Sequence, residues 1–396
     1  MSEFDVGKRV KVHVEKIVSG GDGLAHLPDG RVIFIPGALP DEEINIRIDK
    51  SKKDFAKAQI ESIDIPSPLR AEPKCPYFYL CGGCNMQHVK EDSQLLVKES
   101  IFKDTMRRIG GIDISELGSR FVMVEGPMWE YRTRAKFQID FKKGQMGFLA
   151  KNSKEVIGLE FCPILDPRIS EVLDYGWSNW VKKGIGPNRE IQSIAGDTGA
   201  AVEKDQIIQT LSPKHLKAHS FAVDGSVFFQ SNQVMFEKLI GDMLPMLYGN
   251  RAMDLFSGVG TFAAFLQDHY KQIIAVEREP RCLQFAKQNL DLAKTTFYTD
   301  SVEKWVQGRG EFGLDLLVVD PPRTGLPQSV VDIMLSWQPE WLMYVSCNPV
   351  TLARDLKDIT NRGYSLRVLH GYDFYPQTTH LESVALLKRI PQLSTL

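Results

Sequence analysis

The stretch Arg251-Ala252-Met253-Asp254-Leu255-Phe256-Ser257-Gly258-Val259-Gly260-Thr261-Phe262 decides the fold class. An apolar run enters a glycine turn and leaves into a helix, which lets a ligand approach the backbone at the carboxyl end of a parallel strand. The lone G-x-G lacks the third glycine of a dinucleotide fingerprint and is weak by itself. The downstream strands strengthen it. Ile273-Ile274-Ala275-Val276 is a second buried strand with Glu277 at its end, and Phe297-Tyr298-Thr299 runs into Asp300. Leu314-Asp315-Leu316-Leu317-Val318-Val319 then delivers Asp320-Pro321-Pro322-Arg323-Thr324-Gly325-Leu326, and Trp341-Leu342-Met343-Tyr344-Val345 delivers Ser346-Cys347-Asn348-Pro349. Strands alternating with helices predict an α/β, Rossmann-like parallel sheet. Glu277 is placed to accept hydrogen bonds from both ribose hydroxyls of a nucleoside, and Asp300 to reach an adenine amino group. Asp300 serves equally well as a helix cap. An NAD-binding domain is the rival reading, but it requires a dehydrogenase base and substrate domain downstream, which the sequence does not offer.

Upstream, residues 1–66 read as a small β module. Val10, Val12 and Val14 alternate with polar residues, as do Ile44, Ile46 and Ile48, and Gly-rich turns separate short strands. An OB-type barrel is expected, resembling the TRAM domain that precedes many RNA-modifying enzymes. A barrel acting only as a structural appendage is the alternative. Ile65-Pro66-Ser67-Pro68 is a linker signal. A mixed α+β segment over 67–227 comes next, with a helix from Gln94 to Ile109 stopped by Gly110-Gly111. The catalytic-type domain then spans 228–396. Arg132, Arg134 and Lys136 would share one strand face over buried Tyr131, Ala135, Phe137 and Ile139. Such a face suits phosphates, or is an ordinary solvated surface.

Cys75, Cys81 and Cys84 have the spacing C-x5-C-x2-C, with Cys162 far downstream. Three clustered thiolates and one distant one suit a four-cysteine iron–sulfur cluster such as [4Fe-4S]. A zinc site more often shows two C-x2-C pairs, and here there is one. Six cysteines in 396 residues are too few for a disulfide framework. The formal charge of −2 confines any nucleic-acid surface to a local patch. Met1-Ser2-Glu3-Phe4-Asp5 lacks the pattern of a secretory leader, and no apolar run approaches the ~20 residues of a membrane span. A cytoplasmic protein without membrane contact is expected, and nothing implies an obligate protein partner.

A buried cysteine is usually a small hydrophobe, so Cys347 gains meaning only from its setting. Thr379-His380-Leu381-Glu382-Ser383-Val384 forms a late strand whose Glu382 is a candidate general base. In order, Phe228-Phe229-Gln230, Asp254-Leu255-Phe256-Ser257-Gly258-Val259-Gly260, Asp320-Pro321-Pro322-Arg323-Thr324-Gly325, Val345-Ser346-Cys347-Asn348-Pro349 and His380-Leu381-Glu382-Ser383 resemble the bacterial RNA uracil-5-methyltransferases. With the barrel and the cysteine cluster, the resemblance covers nearly the whole chain. It implies S-adenosylmethionine as methyl donor, Cys347 as nucleophile and Glu382 as base. It also implies that Gln230, Phe256, Glu277 and Asp320 line the cofactor and target-base pocket. Ser257 stands where many members have cysteine, and Gln377 follows Pro376 where a histidine is common, so no role for that imidazole carries over. The RNA expected is ribosomal, with transfer RNA as the alternative. Two rivals come from other classes: an iron–sulfur redox protein, which gives no reason for Cys347 and Glu382, and a non-catalytic RNA-binding module with a metal staple, which would tolerate loss of Cys347. A cytosine-5 enzyme typically carries Pro-Cys where this chain has Asp320-Pro321-Pro322.

Overall fold

The computed structural model describes residues 6–186, 189–310 and 312–391. The leader reading rested on Met1–Asp5, which lie outside the described residues. Among those described, no helix is long and apolar enough to cross a membrane. The chain packs into two compact units. One runs to Asp104 and takes in Leu149–Lys154 and Tyr375–His380; the other holds Thr105–Phe148, Glu155–Phe374 and the chain from Leu381.

The first unit is built on six strands: β1 (Arg9–His13), β2 (Lys16–Ile17), β3 (Asp22–His26), β4 (Val32–Pro36), β5 (Glu43–Ser51) and β6 (Phe55–Ile65), ordered β1-β5-β6-β4-β3-β2. Ile44, Ile46 and Ile48 of β5 point inward with Val12, Ile33, Ile35, Ala56 and Ala58, so the period-2 pattern becomes one apolar core. Helix α1 (Glu91–Thr105) begins three residues before the expected Gln94. A π-helical turn over Met106–Gly110 extends it to a left-handed Gly111 (φ 66°), where the glycine stop was anticipated.

In the second unit, β7 (Phe121–Val124) is followed by β8 (Arg134–Asp140), β9 (Gln145–Leu149), β10 (Val156–Gly158), β11 (Glu190–Gly196) and β12 (Gly199–Val202). These last five form an antiparallel sheet, β10-β9-β8-β11-β12, over which α2 (Pro167–Asp174) packs; α3 (Trp177–Lys182) comes after it. A hairpin of β13 (Ile207–Leu211) and β14 (His219–Val223) leads to α4 (Gln233–Met243). Then come β15 (Gly249–Leu255), α5 (Thr261–Leu266), β16 (Tyr270–Glu277), α6 (Pro280–Asn289), β17 (Thr295–Thr299), α7 (Val302–Trp305), β18 (Leu316–Val319), α8 (Gln328–Ser336), β19 (Trp341–Ser346), α9 (Pro349–Asn361), β20 (Tyr364–Tyr372) and β21 (Glu382–Arg389).

The eight-stranded sheet runs β17-β16-β15-β18-β19-β21-β20-β7. Strands β15 to β19 are mutually parallel where they pair, and β21 is inserted antiparallel between β19 and β20. All four residues of β18 are buried, as expected of a strand covered on both faces. The order reverses between β15 and β18, the switch point where such sheets bind ligands. Strand β21 starts at Glu382, not at Thr379. Thr379 is instead held in the preceding turn, its N–H donating to Asn85 Oδ1 at 2.9 Å.

Candidate active site

Every expected catalytic and cofactor residue lies in the second unit, and all but Gln230 cluster at the carboxyl ends of its parallel strands or the start of β21. Cys347 directly follows β19, and Glu382 opens β21. Because Ser346 pairs with Ser383 in an antiparallel register, the next position along sets Cys347 opposite Glu382. Asp320 leaves β18 beside them. The Asp320–Leu326 loop is fixed by α9: Asn348 Nδ2 donates to Arg323 O at 2.8 Å, and Leu326 N donates to Asp355 Oδ2 at 3.1 Å. Asp355 Oδ2 also accepts from the buried Tyr344 hydroxyl at 2.6 Å. A Cβ at Gly325 would fall within 3 Å of Arg354, Asp355 and Thr351, so only glycine lets the loop lie this close.

Burial pushes the Cys347 thiol up to about 11, with the charges of Glu382 and then Asp320 adding to it; Arg323 opposes them by charge and by a hydrogen bond. Burial holds Glu382 well above the carboxylate range, again with Asp320 adding and Arg323 opposing. Asp320 is raised to about 7 by burial. Asp320 and Arg323 thus both act on Cys347 and on Glu382. Arg323 was quoted in the sequence without a role. The signal was present, a lone cation just past a strand end that faces two carboxylates.

At the cofactor end, Glu277 Oε2 accepts from Gly258 N at 2.9 Å and Oε1 from Glu279 N at 2.8 Å. The carboxylate therefore shapes the glycine turn. Phe256 has φ 67°, a costly conformation for a bulky side chain. Gly258 adopts φ 55°, and nothing lies within 4 Å of where a methyl group on it would stand. Asp254, buried within β15, is held well above the carboxylate range by burial and by the charges of Asp320 and Glu277. Its Oδ1 and the buried Ser257 Oγ have no hydrogen-bond partner among the described residues. Open space over a glycine turn with orphaned polar atoms beneath fits a polar nucleoside-bearing ligand. Asp300 is tied to Glu277 through its backbone N–H at 3.1 Å, but its carboxylate accepts from Ser301 N at 2.9 Å and lies 3.5 Å from Lys304.

Gln230 is half-buried, and its carbonyl accepts from Thr133 Oγ1 at 3.1 Å. The turn leading to it is organised by buried Asp224, which accepts from Ser226 N, Ser226 Oγ and Val227 N and pairs with Arg281 of α6. Sequence reading missed Asp224 and Arg281, because their partnership spans 57 residues.

The basic strand was expected to offer either a phosphate face or an ordinary solvated one. Tyr131, Ala135, Phe137 and Ile139 are buried as expected. Arg132, however, donates from Nε to Arg134 O at 3.0 Å and precedes β8. Arg134 donates to Gly225 O and sits over the Phe228 ring, 5.8 Å from its centroid. Lys136 pairs with Glu190 at 2.6 Å. Each of these cations has a partner within the protein.

Cys75, Cys81, Cys84 and Cys162 are half-buried. The first three lie in the first unit and Cys162 in the second. Gly83 N donates to Cys81 Sγ at 3.4 Å, and burial raises the Cys75 thiol against hydrogen bonds from Tyr77 and Gln87. This donor chemistry, thiols met by N–H groups, fits a thiolate-bound cluster. Among the described residues, no three His, Cys, Asp or Glu side chains are gathered as for a metal ion.

Comparison with known proteins bears on these residues. A TRAM domain profile matches residues 3–60, and a tRNA (Uracil-5-)-methyltransferase profile matches residues 308–390. The 23S rRNA (uracil(1939)-C(5))-methyltransferase RlmD of Shewanella sediminis is 30% identical over 98% of this chain and 97% of its own. An RNA methyltransferase of Treponema denticola, described as uncharacterized, is 30% identical over 96% and 98%. The Pyrococcus abyssi tRNA (uracil-54, C5)-methyltransferase, solved with S-adenosyl-L-homocysteine, has a TM-score of 0.71 over 96% of this chain and all of that one. At 21% identity, this is a likeness of fold.

Proposed function

The chain belongs to the RNA uracil-5-methyltransferase family, and from that premise we propose that it methylates carbon 5 of a ribosomal RNA uridine through Cys347 and Glu382. The observation that carries the mechanism is the register setting Cys347 opposite Glu382, with Asp320 and Arg323 acting on both. S-adenosylmethionine, when bound, supplies an electrophilic methyl group; Gln230, Phe256, Glu277, Asp300 and Asp320 would hold it and the target base. Carbon 5 of uracil is too poor a nucleophile to attack that methyl unaided. The Cys347 thiolate forms a bond to carbon 6, and the carbon 5–carbon 6 electron pair becomes available at carbon 5. Arg323 balances the sulfur's charge before addition. Once carbon 5 is methylated, Glu382 takes its proton, the double bond re-forms and the sulfur leaves as thiolate. The uridine must leave its stack to expose both carbons.

Cys347→Ala should abolish methyl transfer in a folded protein, and Glu382→Gln should accumulate a covalent RNA adduct. RNA containing 5-fluorouridine should trap wild-type enzyme, since fluorine cannot leave as a proton does. Full activity in Cys347→Ala would end the nucleophile assignment. Support for ribosomal RNA comes from the full-length relative acting on 23S rRNA. Mapping 5-methyluridine in total RNA with and without the gene tests this, and loss from transfer RNA alone would overturn it. We further propose that Cys75, Cys81, Cys84 and Cys162 bind a [4Fe-4S] cluster with a structural or RNA-positioning role. Anaerobically purified protein should contain iron and acid-labile sulfide; one zinc without sulfide would refute this.

A further inference from the structure

The connector between β20 and β21, which ends at Glu382, has an unusual anchor. Gln377 is buried and left-handed (φ 67°), a conformation a non-glycine residue keeps only when its surroundings enforce it. The enforcement is visible. Gln377 N donates to Gln94 Oε1 at 2.9 Å, and Gln94 Nε2 donates back to Gln377 Oε1 at 2.8 Å. Gln94 sits fully buried on α1, and its Nε2 also reaches Met86 O at 3.1 Å and Val89 O at 3.2 Å. The Gln377 carbonyl accepts from Asn85 N at 3.1 Å and Met86 N at 2.9 Å. Asn85 also receives Thr379 N on its Oδ1 and donates from Nδ2 to Thr379 Oγ1 at 3.2 Å. One turn along α1, Lys98 Nζ donates to Tyr375 O at 3.0 Å and His380 O at 3.1 Å. All of these residues belong to the first unit, and Asn85 is the residue directly after Cys84.

We infer that the reciprocal Gln94–Gln377 pair is a positioning device for proton removal: it fixes the connector to the segment carrying Cys84, and so fixes where Glu382 begins its strand. The inference rests on the reading of Glu382 as the base. A buried, fully satisfied polar network specifies one geometry, whereas an apolar contact would let the connector slide. Only Leu381 separates Glu382 from the first-unit connector segment that ends at His380, so displacement of that segment moves the carboxylate relative to Cys347. Addition of the thiolate and methylation depend on Cys347, which hangs on β19 and α9 and not on the connector. Loss of the pair should therefore slow the last step and spare the earlier ones.

The test uses full-length enzyme, ribosomal RNA from cells lacking the gene, and S-adenosylmethionine labelled in its methyl group. In a single turnover, Gln94→Ala should label RNA at close to the wild-type rate but release it about ten-fold more slowly, the scale of losing one or two buried hydrogen bonds. Label should then accumulate as protein–RNA adduct on a denaturing gel. Gln377→Gly, which adopts the left-handed backbone freely yet lacks the side-chain link, should do the same, and covers the case in which Gln94→Ala fails to fold. A purely structural role would lower melting temperature and every step together, without adduct. Adduct in Glu382→Gln but in neither folded glutamine variant would overturn this inference and leave the base assignment standing. No adduct in Glu382→Gln would remove the base assignment, and this inference with it.

Discussion

A thiol raised to about 11 from an ordinary value near 9.0 makes a quantitative claim about the resting enzyme. At pH 8 the thiolate fraction of Cys347 should be about 100-fold below that of an ordinary cysteine, since each pKa unit is a factor of ten. Alkylation of RNA-free enzyme by iodoacetamide, with peptide mass mapping of Cys347, measures this directly. Between pH 7 and 9.5 the rate should climb about ten-fold per pH unit without a plateau, because the whole range lies below the folded pKa. Two substitutions should move it oppositely. Arg323→Met removes the cation that opposes burial, so Cys347 should react more slowly still. Glu382→Gln removes the largest charge contribution after burial and should speed alkylation, although it blocks turnover. A plateau near pH 9, or faster alkylation in Arg323→Met, would refute the electrostatic account of the site.

Particular contacts lead to three further outcomes. Asp320 is raised from 3.8 to about 7, so the fold favours its protonated form, and stability is lost as pH rises from about 4 through 7. Asp320→Asn should escape that loss, its advantage in urea unfolding widening from pH 5 to pH 8; solvent reaching the half-buried group keeps the gain below about 4 kcal/mol. An advantage that narrows with pH would contradict the sign. Asp224→Asn should cost about 2 kcal/mol by weakening charge-assisted bonds to Arg281 and the Ser226 turn, and should weaken S-adenosylhomocysteine binding in calorimetry by loosening Gln230. Unchanged affinity would separate that turn from the cofactor. Lys136→Gln should change stability by less than ~1 kcal/mol and leave the salt dependence of RNA binding intact, as its charge is already met by Glu190. A log–log slope reduced by about 0.7 to 0.9 would return this strand to an RNA track.

What could be read in advance was whatever the chain states locally. The apolar runs ending in Glu277, Asp320 and Cys347 announce strands with chemistry at their carboxyl ends, since a parallel sheet exposes only those ends to ligand. Their order in the sheet, and the antiparallel insertion of β21 that brings Glu382 to Cys347, are set by pairing between distant segments and leave no local mark. The basic strand shows the same limit in reverse. Alternation correctly put Phe137 and Ile139 inward, but it could not show that the other face would be met by Gly225, Phe228 and Glu190. Gln377 was noticed only as a departure; its partner Gln94 is 283 residues away.

The arrangement at Cys347 looks self-defeating until the two half-reactions are weighed together. In the proposed mechanism, removing a proton from carbon requires a carboxylate with high proton affinity, and burial of Glu382 beside Asp320 holds its pKa well above the usual range. The same burial and the same negative charges suppress the thiolate that must add first. A fully exposed glutamate would free the sulfur but be too weak a base; a cationic pocket would activate the sulfur but drain the base. Arg323 sits where both demands meet, opposing the negative charge on Cys347 and on Glu382 alike. Its backbone is pinned by Asn348 and its loop by Asp355, both from the helix that starts just after the nucleophile. Under the proposed mechanism one guanidinium would set the balance between adding sulfur and removing the proton, so substituting Arg323 should impair adduct formation and not adduct release, the opposite of loosening the Gln94–Gln377 anchor.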